Sequence, residues 1–422
     1  MRKRHFLFAS VLALLCSSGA LHAQDFKLTS SGYFKNQGVD VMAFDDIYPE
    51  GHQGGVCIIM NGHRVATNGD IRLEATPGQW QPVPKQLDRK LSDNSITATL
   101  CYPDSSRHLT GFNPMIYPDL HLIYTVNVES KGKNIEVTVD LDRPIPQEFI
   151  GKVGFNLEFF PGSLFGKPWI MDGQSGIFPQ QPNSPLMTTQ PNYLHTGNYH
   201  DGKQSLADMD KLIGKGYSPI VADDIISEPY AKGRKFTSRP DDPYNKVTIE
   251  SLSGDLQLFD GRMNHNNGWF VLRSNIKPGV TKGAVKWIIT PNVVADWMYQ
   301  PVIQTSQIGY HPAQDKEAVI EMDIRDNRKE TAQIIRIDAD GEKVVKNVTP
   351  ANWGKFLRYN YLKVDFTDVK EAGLYKIKYD TSVSPIFRID NDVYARGVWQ
   401  PVLEYFLPVQ MCHMRVNEKY RV

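Results

Sequence analysis

The chain has 422 residues, which is long enough for two or three domains with hydrophobic cores of their own. Hydrophobic residues make up 41% and charged residues 22% of the chain, a composition that is typical of a globular protein and excludes a disordered one. Lys plus Arg and Asp plus Glu both number 47, so no net field favours a nucleic acid or an anionic membrane, and neither is expected as a partner.

The N-terminal residues have the pattern of an export signal. Basic residues at positions 2–4 precede an apolar run at positions 6–15, and Ala23 is a suitable small residue before a cleavage point. The apolar run is too short to span a membrane comfortably, and lipid attachment at Cys16 is the weaker alternative. We therefore expect a signal peptide at residues 1–23. The mature protein is expected in the periplasm, at the cell surface or outside a Gram-negative bacterium, with no membrane insertion after signal removal.

Alternation of apolar and polar residues dominates the chain from residue 24 to residue 300. The runs at 122–128 and 135–141 both have this period of two, which is typical of strands with one face in a core. An apolar run at 56–60 is followed by Asn61-Gly62, which predicts a hairpin with a type I′ turn. Because no long helical pattern occurs before residue 390, the sequence predicts an all-β domain at 24–300, most simply a large β-sandwich.

The alternation fades between residues 161 and 243, where Gly, Pro, Asn and Asp cluster as in functional loops. Sugar recognition uses flat aromatic faces beside amide and carboxylate groups. The candidate carbohydrate-binding residues with such neighbours in loop-like sequence are Trp169, Tyr193, Tyr199 and Trp269. Packing in a core is the alternative interpretation for each of them. Trp287 alternates within a strand pattern and is predicted to be a core residue.

The sequence predicts neither a metal site nor a cofactor. Cys57, Cys101 and Cys412 remain after removal of the signal, an odd number that argues against a disulfide framework. Cys57 and Cys101 could pair, but buried thiols are the favoured interpretation. Residues 338–341 begin like a calcium loop but lack its later ligands, so we interpret them as a hairpin turn. Adjacent acids at 45–46, 223–224 and 241–242 are interpreted as loop caps, because neighbouring side chains in a strand point to opposite faces.

From residue 301 the chain has short strand patterns at regular spacing, which suit an immunoglobulin-like sandwich at 301–391. The period then changes to that of a helix beginning near Asp392. Its apolar face would consist of Tyr394, Val398, Val402, Tyr405 and Val409. We expect Pro401 to kink this helix and Pro408 to end it.

Several motifs in this region carry a resemblance to a known family. They are, in order, Gln307-Ile308-Gly309-Tyr310-His311-Pro312, residues 364–369, Gly373-Leu374-Tyr375, Phe387-Arg388-Ile389 and Gln410-Met411-Cys412. Their order and spacing resemble the immunoglobulin-like module that precedes the catalytic domain in glycoside hydrolase family 9, the cellulase-type enzymes. Residues 154–158, 177–179 and 264–269 look like the extra β-domain of longer gut-bacterial members.

The resemblance implies inverting hydrolysis of β-1,4-glucan in an (α/α) barrel. The family's Asp-Ala-Gly-Asp motif does not occur here, so no catalytic residue is carried over. Residues 392–422 would be the beginning of a truncated catalytic domain, with the catalytic carboxylates beyond Val422. We therefore expect a non-catalytic N-terminal portion of an exported hydrolase, inactive by itself. Its expected partners are a β-glucan polysaccharide or oligosaccharide and the missing catalytic domain, which would pack on the helix face at 394–409.

Two alternatives from other functional classes stay open. A free-standing glycan-binding protein would bind β-glucan through the loops at 161–270. Alternatively, the domain at 24–300 would itself be a carbohydrate-active enzyme, such as an epimerase or a lyase, although no residue pair in the sequence identifies its chemistry.

Overall fold

A computed structural model describes residues 25–45, 55–74, 76–78, 84–102, 120–183, 227–263, 268–395, 397–411, 415–417 and 420–421. The chain divides into two compact units, Met1–Trp297 and Met298–Val422, close to the boundary at residue 300 that the sequence indicated. Both units are built from antiparallel β-sheets, which confirms the predicted all-β class.

The N-terminal unit contains two nine-stranded sheets. Its strands are β1 (Lys27–Leu28), β2 (Phe34–Asn36), β3 (Val39–Ala43), β4 (Val56–Met60), β5 (His63–Leu73), β6 (Lys85–Leu91), β7 (Ser95–Cys101), β8 (Ile123–Lys131), β9 (Asn134–Leu141), β10 (Val153–Phe159), β11 (Pro168–Met171), β12 (Gln174–Ile177), β13 (Ala231–Gly233), β14 (Lys235–Ser238), β15 (Val247–Ser251), β16 (Leu256–Asp260), β17 (Phe270–Asn275) and β18 (Val285–Pro291). The spatial orders are β1-β2-β3-β4-β5-β10-β17-β16-β13 and β12-β11-β14-β15-β18-β9-β8-β7-β6. Short 3₁₀ turns lie at Gln147–Phe149, Pro161–Ser163 and Gly261–Met263.

Apolar side chains from both sheets form one continuous core. Phe155 in β10 contacts Trp287 in β18 edge to face, with ring centroids 4.9 Å apart. Trp287 is fully buried, as the sequence predicted, and its indole N–H donates to the Ser274 hydroxyl at 3.0 Å. This hydrogen bond lets the ring be buried without leaving its polar atom unsatisfied.

The turn between β4 and β5 forms as expected from the sequence. Asn61 and Gly62 join β4 to β5 with φ angles of 52° and 84°, which confirms the predicted type I′ hairpin. The interval from 161 to 243 also contains strands, β11 to β14, that were not predicted. Each has only three or four residues, too few for an alternating pattern to stand out.

The C-terminal unit contains a four-stranded and a five-stranded sheet. Its strands are β19 (Val302–Gln304), β20 (Glu317–Asp323), β21 (Ala332–Asp338), β22 (Gly341–Val348), β23 (Ala351–Phe356), β24 (Tyr359–Asp365), β25 (Gly373–Tyr379), β26 (Ser382–Val383) and β27 (Phe387–Ile389). The first sheet has the order β19-β20-β24-β23, and the second has β22-β21-β25-β26 with β27 also paired to β25. The two sheets enclose a separate core around Ile320, Leu362 and Ile377. Residues 338–341 form the β21–β22 hairpin, as predicted.

The C-terminal helix, α1, spans Gln400–Met411 and therefore begins later than predicted. Tyr394 lies in a turn before it, so the predicted helical face starting there is wrong. Pro401 occupies the first turn of α1, where the missing N–H removes no helical hydrogen bond and no kink is required. The helix also continues past Pro408 to Met411 instead of ending there. A short hairpin of β28 (Arg415–Asn417) and β29 (Tyr420–Arg421) follows.

Candidate functional site

The structure places Trp169 differently from the sequence prediction. It lies in β11 rather than in a loop, and only 6% of it is exposed. Its ring covers Gly176 on the paired strand β12, where an added Cβ would lie 2.3 Å from the ring. Trp169 is therefore a core residue, and its ring is not available for stacking on a sugar. Tyr193 and Tyr199 lie outside the described residues.

Trp269 is partly buried and precedes β17. It contacts Phe160 edge to face, with centroids 4.4 Å apart and an interplanar angle of 85°. Phe160 in turn lines a cleft of about 340 Å³ at the ends of β5, β10 and β14. Trp269 therefore contacts the lining of this cleft through Phe160.

This cleft combines aromatic, hydroxyl and cationic groups. Its lining includes His63, Phe160, Ser163, Arg239 and Asn245. Its volume lies at the lower end of the range for small-molecule sites. The cleft can therefore offer hydrogen bonds and an aromatic contact, and its described lining residues include no carboxylate pair for hydrolysis.

Arg239 at the edge of this cleft forms ion pairs with Asp241 and Asp242, the adjacent acids that we interpreted as loop caps from the sequence. Its guanidinium lies 3.3 Å from Asp241 Oδ1 and 2.7 Å from Asp242 Oδ2. Asp242 Oδ1 also accepts the backbone N–H of Tyr244 at 2.9 Å, so the capping role is confirmed for Asp242. Burial opposes ionisation of Asp242, but hydrogen bonds from Asn245 and Tyr244 outweigh it and lower the pKa of the carboxyl.

A second candidate site, the charged cluster, lies in the central strands of the first sheet. It consists of Asp70, Arg72 and Glu74 at the end of β5, Asn156 in β10 and Arg273 in β17. The strand register pairs Asn156 with both Asp70 and Arg273, so side chains from distant parts of the chain share one region. The sheet therefore assembles a group of charges that no local segment contains.

Hydrogen bonds connect the charged cluster closely. Glu74 Oε1 accepts the Asn156 amide at 2.6 Å and lies 3.3 Å from Arg273 Nη1. Arg273 Nη1 also donates to Asn156 Oδ1 at 2.9 Å, and Tyr124 donates its hydroxyl proton to Asp70 Oδ1 at 3.0 Å. Glu74 and Arg273 are each 1% exposed, so this ion pair is removed from water.

Burial changes the titration of the two carboxyls in the charged cluster. It raises the pKa of Glu74 to about 7, although Arg273 and Arg72 act in the opposite direction. It raises the pKa of Asp70 to about 6 against the influence of Arg72 and of hydrogen bonds from Ile71 and Tyr124. Carboxyls that titrate near neutral pH are suited to acid–base chemistry, and buried structural ion pairs can show the same shifts.

Sequence reasoning missed the charged cluster. Its acids are not adjacent in the sequence, because Asp70, Arg72 and Glu74 alternate with the core residues Ile71 and Leu73. Polar residues on the second face of a strand normally indicate a wet face. In this sheet both faces of the central strand β10 are buried. Burial of the second face can be predicted only when the elements that cover the sheet are known.

Among the residues that the structure describes, no group of three or more His, Cys, Asp or Glu side chains could hold a metal ion. Cys57 in β4 and Cys101 in β7 are thiols rather than a disulfide, as favoured from the sequence. Within the described ranges, no helix is both long enough and apolar enough to cross a bilayer.

Comparison with known proteins gives a family match within the C-terminal unit. Residues 298–384 match the cellulase N-terminal Ig-like domain. A solved structure described as Bacteroides ovatus GH9 is similar at 25% identity, over 28% of this chain and 20% of that chain, with a TM-score of 0.21. A structure described as HI1317 is similar at 8% identity, over 63% of this chain and 98% of that chain, with a TM-score of 0.26. No curated protein gave a significant match.

The match defines the class of the C-terminal unit. Residues 298–384 include most of the two sheets described above, so this part of the chain is an Ig-like module of the kind found in cellulases. The resemblance noted from the sequence is confirmed at this level. The aligned part amounts to a fifth of the Bacteroides ovatus chain, so it covers only a small portion of that protein.

Proposed function

We propose that this chain is the N-terminal, non-catalytic portion of an exported glycoside hydrolase of family 9 type that acts on β-1,4-glucans. The observation that carries the proposal is the cellulase-type Ig-like module at residues 298–384. Export is supported by the signal-like pattern at residues 1–23. The module would brace a helical catalytic domain that performs the hydrolysis.

The surface of α1 and the residues before it supports this bracing role. Four large apolar side chains on this surface are more than half exposed: Trp399, Val402, Tyr405 and Phe406. Burying such a side chain is worth about 1.5–3 kcal/mol, so a partner helix would gain considerably by covering the set. We propose that this partner is a helix of the catalytic domain.

Inverting hydrolysis requires an acid and a base on opposite sides of the scissile bond, with room for a water molecule between them. Asp70 and Glu74, whose carboxyl pKa values are raised by burial, are each 1% exposed. They present no open surface to a polysaccharide. We therefore assign hydrolysis to the catalytic domain and a structural role to the N-terminal unit.

A hydrolysis assay tests this proposal. The 422-residue chain and the product of the complete native reading frame would be incubated with carboxymethyl cellulose and with barley β-glucan. We expect the chain to release no reducing sugar and the complete product to hydrolyse β-glucan with inversion at the anomeric carbon, detected by NMR. Hydrolysis by the chain itself, or none by the complete product, would contradict the proposal.

The charged cluster favours a second candidate, in which the N-terminal unit is itself a carbohydrate-active enzyme. Its supporting observation is the hydrogen-bonded cluster around Asn156 and Arg273, in which burial raises the pKa of Glu74 to about 7 and that of Asp70 to about 6. The test is turnover of sugar anomers and polysaccharides by the chain, compared with Glu74→Gln and, as a control away from the cluster, Glu250→Gln. Turnover that is lost only with Glu74→Gln would support this candidate, and no turnover by the wild type would reject it.

A further inference from the structure

The C-terminal unit carries a row of aromatic rings on one side of its four-stranded sheet. Successive ring centroids lie 5.1 Å apart from Tyr299 to Tyr359, 6.1 Å from Tyr359 to Tyr361 and 5.6 Å from Tyr361 to Trp353. Glu321 lies beside the row, and Phe356 is opposite Tyr359 in the strand register. We call these six residues the aromatic face.

Strand alternation explains why the rings lie together. In β24, Leu362 and Val364 are buried in the core, so Tyr359 and Tyr361 point to the other side of the sheet. The neighbouring strand β20 places Glu321 opposite Tyr361 in the same way. These positions follow from the pleat of a sheet that has one face in the core.

A β-bulge adds the tryptophan to the row. The β23–β24 register shifts between Asn352 and Gly354, so Trp353 is the additional residue of the edge strand. Its ring is 56% exposed and meets Tyr361 edge to face at 89°. Bulges commonly redirect a side chain next to a binding site, and this one brings Trp353 to the side that carries the tyrosines.

Hydrogen bonds hold the rings in place. The Tyr299 and Tyr361 hydroxyls both donate to the Glu321 carboxylate, at 2.9 and 3.1 Å. The backbone N–H of Tyr299 donates to Asp323 Oδ2 at 3.1 Å. A ligand that binds such fixed rings loses less binding free energy to side-chain ordering than one that must immobilise mobile side chains.

The charges around the aromatic face are compensated. Glu317 is paired with Lys363 at 2.8 Å, and Asp323 is paired with Arg325 at 2.8 Å. Glu321 accepts the two tyrosine hydroxyls. Because these charges already have partners, the surface complements an uncharged ligand with apolar C–H faces and hydroxyl edges rather than an acidic or basic partner.

We propose that the aromatic face binds a single chain of neutral β-linked glucan. A sugar ring would stack on the exposed Trp353 ring and the chain would continue over the partly exposed tyrosine rings, while Glu321 accepts hydrogen bonds from sugar hydroxyls. Neighbouring rings are inclined by 53°, 67° and 89°, so the row suits one chain that follows the surface better than a flat crystalline array. This inference deepens the proposed function, on which its choice of ligand rests.

Binding can be measured on the full chain without any catalytic activity. Native gels would contain hydroxyethyl cellulose or barley β-glucan, and cellohexaose would be titrated in a calorimeter. The test variant is Trp353→Ala, and the control is Leu374→Ala, because Trp353 is 56% exposed on the aromatic face and Leu374 is 46% exposed on the other sheet of the same unit. We expect both glucans to retard the wild type and the control, and Trp353→Ala to lose about tenfold or more in affinity.

Other outcomes would overturn the inference. Equal retardation of both variants would show that glucan binds elsewhere. No retardation of the wild type would show that the face does not bind glucan, while the hydrolysis proposal would still depend on its own assay. Loss of co-elution of Trp353→Ala with the catalytic domain, with unchanged glucan binding, would identify the face as a protein-docking surface.

Discussion

All three nitrogen atoms of the Arg273 guanidinium donate hydrogen bonds within the N-terminal unit. Nη2 donates to the backbone carbonyls of Glu74 and Lys152 at 2.9 and 3.0 Å, and Nε donates to Asn275 Oδ1 at 2.8 Å. Together with the Glu74 carboxylate these groups compensate a charge that is almost completely removed from water. Loss of one partner of such a pair typically costs about 3–5 kcal/mol, because the other charge stays buried.

The raised pKa of Glu74 predicts a pH-dependent stability. Because the folded-state pKa of about 7 exceeds the ordinary value of 4.5, the contribution of Glu74 is complete below pH 4.5 and is lost as the pH rises through 7. A glutamine at this position cannot ionise, so the Tm of Glu74→Gln relative to wild type should rise between about pH 4.5 and 8. The pKa rises by roughly 2.5 units, so at about 1.36 kcal/mol per unit the relative change is on the order of 3 kcal/mol.

Thermal unfolding across this pH range checks the prediction. The control is Glu250→Gln in β15, because the Glu250 side chain is 45% exposed. A Glu74→Gln difference from wild type that is as independent of pH as that of the control would show that Glu74 stays ionised without penalty.

The glycines near Trp169 provide a second test at the residue scale. A Cβ at Gly176 would lie 2.3 Å from the buried ring, whereas nothing lies within 4 Å of a Cβ at Gly173 in the same hairpin. Overpacking of a core typically costs about 1–3 kcal/mol, so Gly176→Ala should lower the free energy of unfolding by that amount. Gly173→Ala should leave urea denaturation nearly unchanged. Equal effects of the two substitutions would mean that Trp169 is not packed against β12.

At the scale of elements, interior strands were easier to predict than edge strands. β24 alternates buried and partly exposed residues because one of its faces is in the core. β23 lies at the sheet edge with a bulge, and five of its six residues are exposed. Such a strand has no hydrophobic period to detect, although it contributes Trp353 to the aromatic face.

The exposed apolar surface of α1 predicts where a protease will act on the isolated chain. Val402, Leu403, Tyr405 and Phe406 are each at least half exposed, so this helix receives little stabilisation from tertiary packing. Limited proteolysis should first cut between residues 392 and 422 and leave a core ending near Ile389.

Mass spectrometry of the first fragments gives the readout. Addition of the proposed catalytic domain should protect the same bonds if that domain covers α1. First cleavage within the strands of the C-terminal unit, with α1 intact, would contradict the prediction.

At the scale of the whole molecule, the chain consists of two units with separate hydrophobic cores. The cellulase-type match concerns the C-terminal unit, whereas the charged cluster and the cleft belong to the N-terminal one. Function should therefore be tested unit by unit. Variants at Glu74 address the N-terminal unit, and variants at Trp353 address the C-terminal unit.

The sequence by itself determined the all-β class, the Asn61-Gly62 hairpin, the burial of Trp287 and the order of motifs in the Ig-like module. The first three features depend on the two-residue period of a strand and on the φ angles that a turn requires, which are local properties. The order of motifs was read from its resemblance to the module of cellulase-type enzymes. Only the tertiary structure decided the burial of Trp169, the charged cluster and the aromatic face. Glu74 and Arg273 are 199 residues apart in the chain, and strand pairing through β10 brings them together. Contacts of this kind arise from sheet order and bulges, which no local pattern of residues specifies.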